Sequence, residues 1–299
     1  MFIRRLPKFE YHSAASITGA LGLLKKYGNT ARVLAGGTDL LLAMKKRVVT
    51  LEHLINLKNI KALKGISYDG KKGLKIGALV TVAELEESPL VKEKAPALWD
   101  AVSVMASPQV RTLATIGGNL CSAVPSADTA PPLIAMGAEA VLSGPKGERT
   151  MAVEKLFKGP AESKVARNEI LTHIRIPKQP ERSCAAYLKL MRRAALDLAL
   201  VGVAAYVCLD KDNKTCKEVR IALGAVAPTP IRAPMAEELL TGKEVSESLV
   251  EEAGHVAGTV CSPITDLRAS LGYRCDMVAV LTKRAVMEAL TRIKNGTTK

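Results

Sequence analysis

Short apolar runs alternate with stretches at helical spacing through the earlier part of the chain. Arg32 to Leu34, His53 to Leu57 and Leu74 to Ala78 read as strands, and Asp39 to Lys46 as a helix. Thr81, with Glu84 three residues on, has the form of a capping box, and Pro96 opens a further helix through Met105. After Pro131 and Pro132 a short apolar helix runs to Met136. Glu139 to Leu142 and Glu169 to Ile176 are then strands, the second stopped by Pro177. The polar, proline-bounded segment Lys178 to Arg182 reads as a boundary, dividing the chain into domains 1–177 and 178–299. Beyond it Ala185 to Leu190, Val201 to Leu209 and Glu218 to Ala225 read as three strands. Helices follow near Ala233 to Leu240, Ser246 to Thr259 and Ser270 to Ile293. Strands grouped before helices imply an antiparallel sheet with helices on one face, and the whole reads as α+β.

Composition narrows the function classes. With 299 residues, 48% hydrophobic and 24% charged, the chain has the balance of a folded globular protein, and its 3% aromatic content predicts an aliphatic core. The net charge of +14 would suit an anionic partner, but clusters such as Lys45-Lys46-Arg47 and Lys71-Lys72 are scattered and no nucleic-acid motif accompanies them. The charge is read as solvated surface and subunit docking, with no nucleic-acid partner. Six cysteines form no CxxC pair, so no metal or iron–sulfur site is expected. His12, His53, His173 and His255 lack a nucleophile partner and read as surface or structural residues, which leaves no catalytic triad. Pro7, Lys8, Glu10 and His12 interrupt any export signal, and Leu196 to Leu209 is too short and contains Asp197, so no membrane span and a cytoplasmic location are expected.

Two glycine segments carry the candidate chemistry: Val33-Leu34-Ala35-Gly36-Gly37-Thr38-Asp39-Leu40 and Ala114-Thr115-Ile116-Gly117-Gly118-Asn119. A dinucleotide pyrophosphate needs backbone N–H donors at close range, which glycine permits and a helix N-terminus reinforces. Either segment alone also fits plain loop geometry; together they suggest a cradle. Ser122 and Asp128 lie in the following loop, where Asp128 either accepts hydrogen bonds from a ribose or adenine or caps the helix near Pro131. There is no GxGxxG after a strand and no GxxxxGK[ST], so neither the Rossmann nor the P-loop fold is indicated.

The sequence resembles the FAD-binding medium subunit of the molybdenum hydroxylases, the group of xanthine dehydrogenase and carbon monoxide dehydrogenase. The resemblance rests on VLAGGTDLL (33–41), SPQVRTLATIGGNLCSAVPSADTAPPL (107–133), EILTHIRIP (169–177), YLKLMRRAALDLALVGVAA (187–205), IALGAVAPTPIRA (221–233) and DLRASLGYRCDMVAVLTKRA (266–285). It implies a vanillyl-alcohol-oxidase (PCMH)-type FAD domain of two subdomains, followed by a C-terminal α+β domain. By position, 33–40 and 114–119 would hold the pyrophosphate, Ser122 and Asp128 would face the adenosine half, and Leu171 and Lys189 would approach the cofactor. Lys189 would place a cation near the flavin's pyrimidine edge or else stand on the surface of its strand, and Tyr187 would cover the ring or pack between domains. Met105 occupies the position where several relatives carry a stacking aromatic, and the cysteine-rich insertion of relatives with an extra cluster is missing. The implied function is an electron-transfer subunit whose partners are a large molybdopterin-binding subunit and a small [2Fe-2S] subunit, in a dimer of heterotrimers, with an external electron acceptor or donor. The alternative is a stand-alone FAD-dependent oxidoreductase acting directly on a small molecule.

Overall fold

The computed structural model describes residues 5–193 and 196–296. It opens with a β-α-β-α-β run: strand Glu10–Ser13, helix Ile17–Tyr27, strand Ala31–Leu34, helix Leu40–Lys45 and strand His53–Asn56. The last strand lies in the middle of a three-stranded sheet, paired parallel to both others. Glu10–Ser13 and the helix after it were not legible from pattern. Glu-Tyr-His-Ser is a polar edge strand, held by its backbone against His53–Asn56 rather than by burial.

A five-stranded antiparallel sheet follows, in the order Ile66–Asp69, Gly73–Gly77, Ile170–Ile176, Glu139–Gly144, Gly147–Ala152. Its central strand is buried at alternate positions and beyond, as its Ile-Leu-Thr-His-Ile-Arg-Ile pattern requires, whereas the edge strand Gly147–Ala152 is almost wholly exposed. Between Gly73–Gly77 and Glu139–Gly144 the chain folds into short helices. The capping box is present as expected: Thr81 Oγ1 accepts from the Glu84 amide and the Glu84 carboxylate accepts from the Thr81 amide. The Pro96 helix runs over Pro96–Ser103, ending short of Met105.

After residue 182 comes an antiparallel sheet of Ser183–Leu190, Val201–Leu209, Cys216–Gly224 and Ile231–Arg232. The expectation of three strands is corrected to four. The fourth is a two-residue edge pairing with Ala222 and Leu223, too short to carry a periodic signal. Helices Pro234–Leu240, Glu247–Thr259 and Leu271–Lys294 complete the chain. Val201–Leu209 is buried at every position. Val201, Val203, Ala205 and Val207 pack with the C-terminal helices, while Ala204, Tyr206 and Cys208 join the core of the preceding sheet and helices. One strand thus serves two cores, which explains its nearly unbroken apolar run. Among the described residues no helix is long and apolar enough to cross a membrane.

Candidate functional site

The two glycine segments meet. A Cβ on Gly36 would stand 2.1 Å from the carbonyl oxygen of Leu113 and 3.0 Å from Cα of Ala114, so only glycine lets the first loop lie on the backbone that enters the second. Strand Ala31–Leu34 delivers this loop at its C-terminal end, and helix Leu40–Lys45 carries it away. Among the described residues, the amides of Gly36, Gly37, Thr38, Asp39 and Leu40 donate to no protein acceptor. The loop is partly exposed. It therefore offers a row of unsatisfied N–H groups, reinforced by a helix N-terminus, to an anion from outside. Val33 lies half-buried on the strand and Leu34 is buried in it.

The second segment differs in kind. The amides of Ile116 and Gly117 donate to the carbonyls of Val80 and Ala78, both at 3.0 Å. Gly118 donates to Thr115 Oγ1 at 3.1 Å and Asn119 to the Thr115 carbonyl at 2.9 Å. The expected repetition of the amide device is corrected here, because these N–H groups are spent inside the protein. A Cβ on Gly117 would meet the Ala78 carbonyl oxygen at 2.7 Å, so this glycine serves close packing of helix Ile116–Ser122. What the segment can still offer outward is the side-chain amide nitrogen of Asn119, whose oxygen is oriented by a 2.5 Å hydrogen bond from Thr129 Oγ1. Ser122 donates its hydroxyl to the Asn119 carbonyl at 3.0 Å.

Asp128 does not cap the helix that starts near Pro131. Helix Ala130–Ala135 has no side-chain cap. The Asp128 carboxylate instead accepts from the Tyr187 hydroxyl at 2.9 Å and from Lys189 Nζ at 2.9 Å. Tyr187 and Lys189 lie two apart on strand Ser183–Leu190 and so share a face, which brings both to the same carboxylate. Lys189 is no surface lysine: its side chain is 1% exposed and that of Asp128 7%. Lys189 also donates to the Val104 carbonyl at 3.3 Å, so its charge is compensated within the protein. Burial pushes the Asp128 carboxyl up, and the Lys189 ammonium and Tyr187 hydroxyl pull it back. Burial, and then the Asp128 charge, hold the Tyr187 phenol well above its ordinary value, so it remains a donor.

Leu171 is buried, its backbone paired with Leu142 next to a bulge, and its neighbour Thr172 accepts the Ala78 amide at 2.9 Å. Ala78 in turn accepts the Gly117 amide at 3.0 Å, so the strand that carries Leu171 is linked by backbone, through Thr172 and Ala78, to the second glycine segment. Met105 is partly buried against the core, and its carbonyl accepts from Arg111 at 2.9 Å. A cleft of about 620 Å3 is lined by Asp100, Val104, Tyr187, Lys189, Met287 and Arg292, among others, and contains neither glycine segment. The amide row makes a direct chemical demand for an anion, which the size of this hollow does not.

Sequence reasoning missed two constellations. Asp100 accepts the Tyr187 amide at 3.1 Å and both Nη atoms of Arg292 at 2.8 and 3.1 Å, tying the Pro96 helix to the C-terminal sheet and last helix. His12 and His53, far apart in sequence, converge at 3.2 Å beside Glu10. Their common face on paired strands was not legible without the register.

Comparison with known proteins agrees over the whole chain. The family model described as the FAD binding domain in molybdopterin dehydrogenase matches residues 7–179, and that described as the CO dehydrogenase flavoprotein C-terminal domain matches 186–289. The carbon monoxide dehydrogenase medium chain of Hydrogenophaga pseudoflava is 37% identical over 286 residues, covering 96% of this chain and 98% of that one. The xanthine dehydrogenase FAD-binding subunit of Escherichia coli O157:H7 is 33% identical over 289 residues, covering 94% and 95%. Among solved structures, carbon monoxide dehydrogenase from Hydrogenophaga pseudoflava is similar with a TM-score of 0.92 at 37% identity, covering 96% of this chain and 99% of that one. Quinoline 2-oxidoreductase from Pseudomonas putida 86 gives 0.89 at 28% identity, covering 99% and 100%. With this fold and these matches, the chain belongs to the FAD-binding medium subunits of the molybdenum hydroxylases, a family of oxidoreductase flavoproteins whose cofactor is FAD.

Proposed function

We propose that this chain is the electron-transfer subunit of a molybdenum hydroxylase complex. A large molybdopterin-binding subunit would handle the substrate, and the FAD site here would link the clusters of a small [2Fe-2S] subunit to an external acceptor or donor, in a dimer of heterotrimers. The observation that carries the reading is the row of unsatisfied amides from Gly36 to Leu40, which fits the diphosphate of FAD in charge, donor count and access. Residues 33–40 would hold the diphosphate, and 114–119 would support that loop from below and contribute Asn119. Ser122 and Leu171 would shape the neighbouring wall. When bound, FAD supplies the one- and two-electron chemistry that couples iron–sulfur centres to a two-electron partner. This chain's residues bind it, orient it and set its surroundings: Asp128 holds Tyr187 and Lys189 in place, and Lys189 brings a compensated charge beneath Val104.

The six cysteines are free and, among the described residues, none joins a group of three or more ligands, which favours clusters in a partner over one in this chain and suits a reducing cytoplasm. The polar segment 178–182 lies between strands Ile170–Ile176 and Ser183–Leu190, and we take it as the join between an FAD domain, 1–177, and a C-terminal domain, 178–299. The test is non-denaturing purification from the native host. Co-elution with a molybdenum-containing large chain and a small chain giving [2Fe-2S] spectra is the expected result. A flavin-loaded chain that elutes alone and turns over a small molecule unaided would overturn the assignment in favour of a stand-alone oxidoreductase.

A further inference from the structure

Away from the glycine loops, Glu10, His12 and His53 form a group with no part in the flavin site. Glu10 and His12 stand two apart on strand Glu10–Ser13 and so share a face, and the parallel register sets His53 directly beside Glu10. The result is convergence of three ligand atoms. His12 Nε2 lies 3.2 Å from His53 Nδ1, and Glu10 Oε2 lies 3.4 Å from His53 Nδ1 and 3.7 Å from His12 Nε2. A tetrahedral ion with bonds of ~2.1 Å separates its ligand atoms by roughly 3.4 Å, so these atoms stand near the corners of one face of such a site.

The surroundings hold that arrangement. The Tyr27 ring, at the end of helix Ile17–Tyr27, stacks on His53 with centroids 3.8 Å apart and on His12 at 4.8 Å, which fixes both imidazole planes. The imidazole side chains are 20% and 14% exposed, whereas Glu10 is 70% exposed. Water can therefore reach the open side and complete the coordination. Two imidazole nitrogens and one carboxylate oxygen suit a borderline divalent transition ion, while calcium and magnesium prefer an all-oxygen shell.

We propose that Glu10, His12 and His53 bind a divalent transition-metal ion, zinc suiting them best, with water in the remaining position. The ion clips edge strand Glu10–Ser13 to the central strand of the sheet whose third strand, Ala31–Leu34, leads into the Gly36–Leu40 loop. It sits at the end of the sheet away from that loop, so its role is structural rather than catalytic.

The test uses the full, untagged chain with its FAD, stripped with a chelator and titrated with zinc chloride by calorimetry. One saturable ion per chain is expected, with a rise in Tm on binding. His12→Gln and His53→Gln should each weaken binding ~10-fold or more, comparable with losing a metal-orienting group elsewhere. Glu10→Gln, at an exposed side chain whose change does not threaten folding, should weaken it measurably, and His255→Gln on the distant exposed helix face should leave it unchanged. Cobalt(II) should give the intense visible bands of four-coordinate geometry. Three results would overturn the proposal: no saturable zinc binding, binding that survives loss of both imidazoles and so belongs to the cysteines, or only the faint bands of six-coordinate cobalt. In the first case the 3.2 Å contact is a histidine–histidine hydrogen bond alone.

Discussion

Lys189 donates to Asp128 at 2.9 Å with both side chains almost completely withdrawn from water. A buried pair of this kind adds little over a well-packed apolar pair, but removing one partner strands the other charge. Lys189→Met should therefore cost about 3–5 kcal/mol of stability. Adding Asp128→Asn, which removes the stranded charge but keeps an acceptor for the Tyr187 hydroxyl, should recover a large part of it. Urea unfolding of the two variants checks this, and a double variant no better than Lys189→Met would show that the pair is not the source of the loss.

Tyr187 reaches Asp128 only because residue 202 has no side chain. A Cβ there would lie 2.6 Å from the Tyr187 hydroxyl, and Gly202 and Lys189 are cross-strand partners. Gly202→Ala should cost about 1–3 kcal/mol through overpacking. In a Tyr187→Phe background, where the hydroxyl is gone, the same change should cost less. Equal costs in both backgrounds, measured by thermal unfolding, would place the strain elsewhere.

His173 links stability to pH. Burial, and then Lys75 and Arg175, hold its imidazole below the ordinary value of 6.5, so the fold favours the neutral form. The unfolded chain binds a proton below about 6.5 that the folded chain resists, so stability contributed here is present above that pH and is lost as pH falls toward the lower folded value. Tm measured between neutral and mildly acidic pH should fall less steeply for His173→Gln than for the parent. An unchanged slope would assign the acid sensitivity to other groups.

The contrast between the two glycine segments gives a sharper pair. Gly117→Ala drives a Cβ into the Ala78 backbone and should lower global stability by about 1–3 kcal/mol, since neither side can yield freely. Gly36→Ala separates the two segments at Leu113 and should lower FAD content more than it lowers stability. Flavin absorbance per chain beside Tm distinguishes them; identical profiles would mean that the segments act alike.

Much of the C-terminal sheet was legible because its strands are long and buried: Val201–Leu209 was bounded correctly from its apolar run, and the Thr81–Glu84 box from two residue types at one spacing. What failed to show was whatever depends on pairing. Glu10–Ser13 and Gly147–Ala152 are polar edge strands that need a neighbour to exist, and Ile231–Arg232 is too short for any period. In the site, glycine and helix start were visible at Gly36 to Leu40, but whether an amide is free or spent depends on contacts such as Ala78 to Gly117, which no local spacing encodes. Asp128 and Lys189 were both singled out; their direct bond was not, because 61 residues separate them.

Whether the free amides of Gly36 to Leu40 hold the diphosphate is tested by titrating the deflavinated chain with FAD and with riboflavin, which lacks the diphosphate and the adenosine beyond it, and by repeating both titrations in a variant altered only at the loop. Several charge-assisted hydrogen bonds predict FAD binding at least ~100-fold tighter than riboflavin. Thr38→Glu, which sets a carboxylate among the amides, should erase most of that advantage while leaving riboflavin binding unchanged. Equal affinity for the two ligands, or full FAD affinity in Thr38→Glu, would mean that these amides do not hold the diphosphate.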